Sequence, residues 1–163
     1  MILLSILSFI FDGIFSLLVE KNSLLISLFS LTSLVVIYPF IIKKHKLIYF
    51  AFLLGFCYDI IYTQTPLLYT ILFVILSLII LLYFRFIPYN IISSLICTTI
   101  IIFMYRIISY TCVILINDYK FSWDIVFKSF YSSIISNVVY LIIFSIILKL
   151  YYNRKGKKKS YNY

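Results

Sequence analysis

Six long apolar runs, divided by short polar breaks, make up almost the whole chain. A helix needs about 20 mostly apolar residues to cross a hydrocarbon core of about 30 Å, and each run is near that length. The pattern predicts helices over residues 2–19, 24–42, 47–62, 67–84, 89–116 and 125–152. Glu20-Lys21-Asn22 separates the first two, and Lys43-Lys44-His45-Lys46 follows the second. Thr63-Gln64-Thr65-Pro66 ends the third, because the residue before a proline is pushed out of helical geometry. Arg85 and Pro88 follow the fourth, and residues 117–124 form a polar loop before the sixth. The first run contains Asp12 and lacks both a basic leading segment and a small-x-small cleavage site. It therefore reads as a helix and not as a cleaved signal peptide.

Composition turns this pattern into a fold class. Of 163 residues, 64% are hydrophobic and 12% are charged. A soluble domain carries roughly a quarter charged residues, so a water-soluble fold is excluded, and so is disorder. The expectation is an all-α membrane protein, a compact bundle of six transmembrane helices. It forms one domain over residues 1–152, followed by a basic tail over 153–163. No polar stretch before the tail reaches ten residues, which leaves no room for an extramembrane domain. Function must then reside in the bundle, its short loops or its partners.

The formal charge of +9 would suggest nucleic acid in a soluble protein. Here the excess sits in loops and tail, where it acts as a topological signal, and no nucleic-acid partner is expected. With both termini inside, the cytoplasmic side collects Lys43, Lys44, Lys46, Arg85, Lys149, Arg154, Lys155, Lys157, Lys158 and Lys159. The outside receives Lys21, Lys120 and Lys128. The basic tail is expected to hold anionic lipids, at about 1 kcal/mol per basic residue near the surface.

Polar residues recur at helical spacing: Ser5, Ser8, Asp12 and Ser16; Ala51, Gly55, Asp59 and Thr63; Thr98, Arg106 and Ser109; Ser129, Ser133, Asn137 and Tyr140. Helices in lipid associate through close packing and polar contacts, so these stripes are expected to face inward. Asp12, Asp59 and Arg106 are the costly ones, at about 2.5–3.5 kcal/mol or more at the bilayer centre. In the six-helix topology all three fall in the outer half of the bilayer, and Asp59 is the expected partner of Arg106. A ligand or partner contact is the alternative. Cys57, Cys97 and Cys112 each lie in an apolar run without a C-x-x-C pair, and His45 stands among lysines without ligand companions. There is no Ser/His/Asp set, no carboxylate pair and no phosphate-cradling glycine loop, so no enzyme, metal or cofactor is expected.

The segment Tyr49-Phe50-Ala51-Phe52-Leu53-Leu54-Gly55-Phe56-Cys57-Tyr58-Asp59-Ile60-Ile61-Tyr62-Thr63 resembles the third helix of the MreD family of rod-shape-determining membrane proteins, which carries Gly-x-x-x-Asp there. Asp12-Gly13-Ile14-Phe15 is similar to that family's first helix. The chain departs from the pattern in reading Thr63-Gln64-Thr65-Pro66-Leu67 where a glycine is usual, and Tyr105-Arg106 where an acid is usual. The resemblance implies a non-enzymatic scaffold of the cell-elongation machinery in the bacterial plasma membrane. Its implied partners are an MreC-like bitopic protein, RodA and its class B transpeptidase, and MreB filaments. It also implies a fold like the substrate-binding subunits of energy-coupling-factor vitamin transporters. Asp12, Gly13, Ala51, Gly55, Tyr58, Asp59 and Arg106 are the candidate interface or packing residues. A vitamin-binding subunit, with Asp59 and Arg106 lining an outward pocket, is the alternative. Against it, the first helix has Ser5 and Ser8 where such subunits meet their coupling protein through alanines.

Overall fold

The computed structural model describes residues 2–19, 28–41, 43–63, 67–117 and 121–154, and these residues form an all-α protein. Its helices are α1 (Ile2–Val19), α2 (Phe29–Ile37), α3 (Lys46–Tyr58), α4 (Leu68–Phe86), α5 (Ile91–Asn117) and α6 (Trp123–Arg154). α2 continues into a 3-10 turn at Tyr38–Phe40, and α3 into a π-helical turn at Asp59–Thr63. Pro39 is tolerated because the opening positions of a helical turn need no backbone donor.

Local chemistry explains several ends. Ile87 is extended, at φ −117° and ψ 126°, as the residue before Pro88 must be, and α4 stops there. Asn90 then opens α5 with a reciprocal cap. Its Oδ1 accepts the Ser93 N–H at 2.7 Å, while its own N–H donates to Ser93 Oγ at 3.0 Å. The described α2 runs from Phe29, with Leu28 (φ −127°, ψ 45°) outside helical geometry, and the expected start at Leu24 lies outside the described residues. Residues 24–27 are outside the described set, as are the Glu20-Lys21-Asn22 break and the tail from 155 onward.

α2 sits at the centre and touches every other helix. All nine of its residues are buried, and its three polar ones, Ser30, Thr32 and Ser33, all spend their hydroxyls on bonds inside the protein. Leu34, Val35 and Ile37 meet Leu47 and Ala51 of α3, Phe73, Leu76 and Ile80 of α4, Ile101 and Ile102 of α5 and Leu141 of α6 in one core. The outward faces are apolar as well: Ile6 and Ile10 on α1, Ile71 and Leu82 on α4, Ile96 and Met104 on α5, Ile135 and Ile143 on α6 are all exposed. The buried positions, by contrast, include Ser5, Ser8, Asp12, Ser30, Thr32, Ser33, Thr98, Arg106, Ser133 and Asn137. Soluble proteins do not expose apolar surface on this scale. Among the described residues, three helices are long and apolar enough to cross a membrane: Leu68–Phe86, Ile91–Cys112 and Trp123–Leu150, with mean hydropathies of 2.3, 2.1 and 2.1.

Aromatic groups gather at two ends. Tyr38 stacks on Phe84 at 4.6 Å and lies 6.3 Å from Tyr89, with Lys44 Nζ 3.7 Å above its ring. Elsewhere Phe121 packs on Tyr110 at 5.4 Å and on Trp123 at 4.9 Å.

Candidate functional site

Asp12 occupies the inward face of α1, 3% exposed, on the stripe that also buries Ser5 and Ser8. Its Oδ1 accepts the Phe29 N–H at 2.7 Å. Its Oδ2 accepts the Ser30 N–H at 2.9 Å and the Ser30 hydroxyl at 2.5 Å. The first N–H groups of a helix have no partner within it and carry partial positive charge. α2 has no side-chain cap of its own at Leu28, so an acid from α1 supplies one.

Asp59, 4% exposed, does the same on the next pair of helices. Its Oδ1 accepts the Tyr69 N–H at 2.9 Å, and its Oδ2 accepts the Thr70 N–H at 2.8 Å and the Thr70 hydroxyl at 2.6 Å. Gly55 lies one turn earlier on α3, against the same two residues. A Cβ added there would stand 2.6 Å from Thr70 Cα and 2.8 Å from the Tyr69 carbonyl oxygen. The glycine thus lets the α4 backbone come close, and the acid then binds its open end. Ala51, wholly buried one turn further back, continues the small-residue face. α4 is entered through Leu67, which has φ 60°, a left-handed conformation costly for a residue with a Cβ.

Tyr58 and Gly13 join the two halves of the arrangement. The Tyr58 ring, 8% exposed, lies 6.0 Å from Phe9, 4.8 Å from Tyr62, 5.7 Å from Tyr69 and 5.5 Å from Phe73. Tyr62 donates its hydroxyl to the Phe9 carbonyl at 2.9 Å, and that hydroxyl fills the space where a side chain on Gly13 would begin.

Arg106, 7% exposed on α5, donates to Ser133 Oγ on α6. From Ser133 the polar contacts continue inward. Its carbonyl accepts from Asn137 Nδ2 at 2.8 Å, and Asn137 Oδ1 accepts the Thr32 hydroxyl of α2 at 2.7 Å. Ser8 of α1 bonds the Tyr140 hydroxyl of α6. The inward stripes therefore tie α6 to α1, α2 and α5. The contacts described for Asp59 lead to α4 and those for Arg106 lead to α6. Tyr69 links the two neighbourhoods, with its ring 6.2 Å from that of Tyr105 and its hydroxyl 3.5 Å from Ser109 Oγ. Beside Arg106 is a cleft of about 130 Å³, lined by Ser109, Tyr110, Ile125, Val126 and Ser129.

Reading the helices one at a time missed a regularity. Asp59 follows Asp12 by 47 residues, and Arg106 follows Asp59 by the same interval. The surroundings match: Phe9-Ile10-Phe11-Asp12-Gly13-Ile14, Phe56-Cys57-Tyr58-Asp59-Ile60-Ile61 and Phe103-Met104-Tyr105-Arg106-Ile107-Ile108. A search for self-similarity at fixed period would have found it. The chain is thus three successive helix pairs. The first two are latched by an acid, and the third carries an arginine at the equivalent place.

Among the described residues, no three His, Cys, Asp or Glu side chains come together as metal ligands, and Cys57, Cys97 and Cys112 are free thiols. What the arrangement performs is helix registration. No family model, curated protein or solved structure matches the chain.

Proposed function

We propose that the chain is a multi-pass scaffold of the bacterial cell-elongation machinery, working in the plasma membrane through intramembrane contacts, as the MreD-like segment suggests. The observation that carries this reading is the unit made by Gly55 and Asp59. Both residues that define the resemblance are spent on holding α4 against α3, which is a structural task. Six spans with both termini cytoplasmic fit the charge distribution. Lys43, Lys44, Lys46, Arg85 and Lys149 lie at the end marked by Tyr38, Phe84 and Tyr89, and cytoplasmic ends are rich in Lys and Arg. From Ile91 to Tyr110, α5 spans about 30 Å, close to a bilayer core. The aromatic clusters at the two ends then lie at the two interfaces.

A bundle whose acids are engaged in its own packing works through its outer faces. The partners in this reading are an MreC-like bitopic protein, RodA with its class B transpeptidase, and MreB filaments. Mild-detergent purification of the tagged protein, followed by mass spectrometry of what accompanies it, tests the reading. Recovery of the MreC-like protein or RodA is the expected result. Recovery of a coupling-factor membrane subunit with paired ATPases overturns it in favour of vitamin transport. The cleft beside Arg106 is the feature that would serve such transport. Its volume of about 130 Å³ is well below the roughly 300–1,000 Å³ typical of small-molecule pockets.

A further inference from the structure

The turn that ends α3 does not continue the helix before it. From Asp59 to Thr63 the chain takes a π-helical path, which holds more residues per turn than an α-helix. Such turns are rare and recur at working positions. Burial does not call for this one, since Ile60 and Ile61 are each 60% exposed. On the far side of the connection, Leu67 stands at φ 60°, so irregular backbone flanks it on both the α3 and the α4 side.

Helical phase explains what the π turn achieves. Residues three apart in an α-helix lie about 60° apart around its axis and so face one neighbour. Asp59 and Tyr62 are three apart, yet they bind different helices. Asp59 holds the first turn of α4, whereas the Tyr62 hydroxyl donates to the Phe9 carbonyl of α1 at 2.9 Å. The wider turn swings Tyr62 away from the face of Asp59 and onto α1.

The place where Tyr62 lands is specific. Phe9 and Gly13 form one i, i+4 step of the α1 backbone, and the Gly13 N–H meets the same hydroxyl that donates to Phe9. A Cβ at Gly13 would occupy the position of that oxygen, so the glycine beside Asp12 is a socket for it. Little else joins α1 to α3 among the described residues. α3 packs closely along α4 but not along α1, and the ring contacts across the α1–α3 seam all involve Phe9, with Tyr58 at 6.0 Å and Tyr62 at 4.9 Å. α1 itself is held elsewhere, by Asp12 on α2 and by Ser8 on α6. One hydroxyl in one socket closes this part of the seam.

We propose that the π turn is a two-position strap. In the closed position Tyr62 is seated at Gly13. In the open one the turn relaxes to α-helical phase and Tyr62 leaves α1, so that the seam between α1 and α3 parts beside Asp12 while Asp59 keeps its hold on α4. Opening gives up one neutral hydrogen bond and one ring contact, from a tyrosine that is already only half-buried, so the two positions are close in energy. The strap is independent of the cell-shape role.

Spin labels at Ile10→Cys on α1 and Leu53→Cys on α3, both exposed positions, read the seam by double electron–electron resonance in lipid-reconstituted protein, with Cys57, Cys97 and Cys112 changed to serine. Two distances are expected, the shorter one from the closed strap. Tyr62→Phe, which removes only the hydroxyl, should raise the ratio of longer to shorter about fivefold, the scale of one lost neutral hydrogen bond. Gly13→Ala should raise it as well. Deletion of Ile60, which takes one residue out of the π turn, should leave mainly the longer distance. Labels at Leu53→Cys and Leu78→Cys, across α3 and α4, should report one distance that none of these changes moves. A single α1–α3 distance that neither Tyr62→Phe nor Gly13→Ala alters would overturn the proposal. An equal change across α3 and α4 would overturn it too, because the bundle would then be loosening as a whole.

Discussion

Asp12 and Asp59, 47 residues apart, each bind the opening turn of the following helix through the same set of bonds. One oxygen accepts a backbone N–H. The other accepts the next N–H and the hydroxyl of that same residue, Ser30 in one case and Thr70 in the other. A carboxylate is suited to this because it only accepts and has capacity for all three donors. An amide presents one acceptor oxygen and adds donors that the site has no use for.

Asp12→Asn and Asp59→Asn should therefore lose similar stability, about 1–3 kcal/mol each, from weakened charge-assisted bonds at a buried helix end. Thermal unfolding of each variant in one detergent checks this. A large loss at one site with none at the other would show that the two latches differ in kind.

The two glycines should separate clearly. Gly55→Ala places its methyl against α4 backbone and should cost about 1–3 kcal/mol by overpacking. Gly13→Ala meets only the far end of the Tyr62 side chain, which can swing away at the loss of its bond to the Phe9 carbonyl. Gly55→Ala should melt at the lower temperature of the two, and the reverse order would contradict the packing described.

Leu67 is a place where the chain can be improved. Its left-handed backbone costs a leucine about 1–2 kcal/mol that glycine does not incur, part of which is returned through glycine's freer unfolded chain. Leu67→Gly should raise the unfolding temperature by a few degrees. An unchanged or lower value would mean that the leucine side chain contributes more than its backbone loses.

The six-span topology is checked by labelling from the two sides of sealed vesicles. With the native cysteines replaced by serine, Lys43→Cys should react with a membrane-impermeant maleimide only from the cytoplasmic side. Phe121→Cys, three helices later, should react only from the other. Reaction from the same side would remove one span.

Much of the fold was legible because lipid exposure and helical period leave direct marks. The first apolar run is helical throughout its described residues, and Ser8, Ala51, Gly55, Thr98, Ser133 and Asn137 of the inward stripes are buried as their spacing implied. What binds the first N–H groups of the described α2 was not legible, because the group is Asp12, 17 positions before Phe29 and on another helix. The task of Asp59 was hidden for a related reason. A charge search pairs an acid with a cation such as Arg106, whereas the bonds described for Asp59 come from the Tyr69 and Thr70 N–H groups and the Thr70 hydroxyl, and backbone donors are not visible in side-chain chemistry.

The central position of α2 has a consequence for how the protein answers to its host bilayer. Its described stretch from Phe29 to Phe40 is about 18 Å long. Enclosed by the other helices, it meets no acyl chains, so thickening or thinning of the membrane exerts no mismatch on it. In a bilayer such strain would fall on α4, α5 and α6, the described helices long and apolar enough to span it.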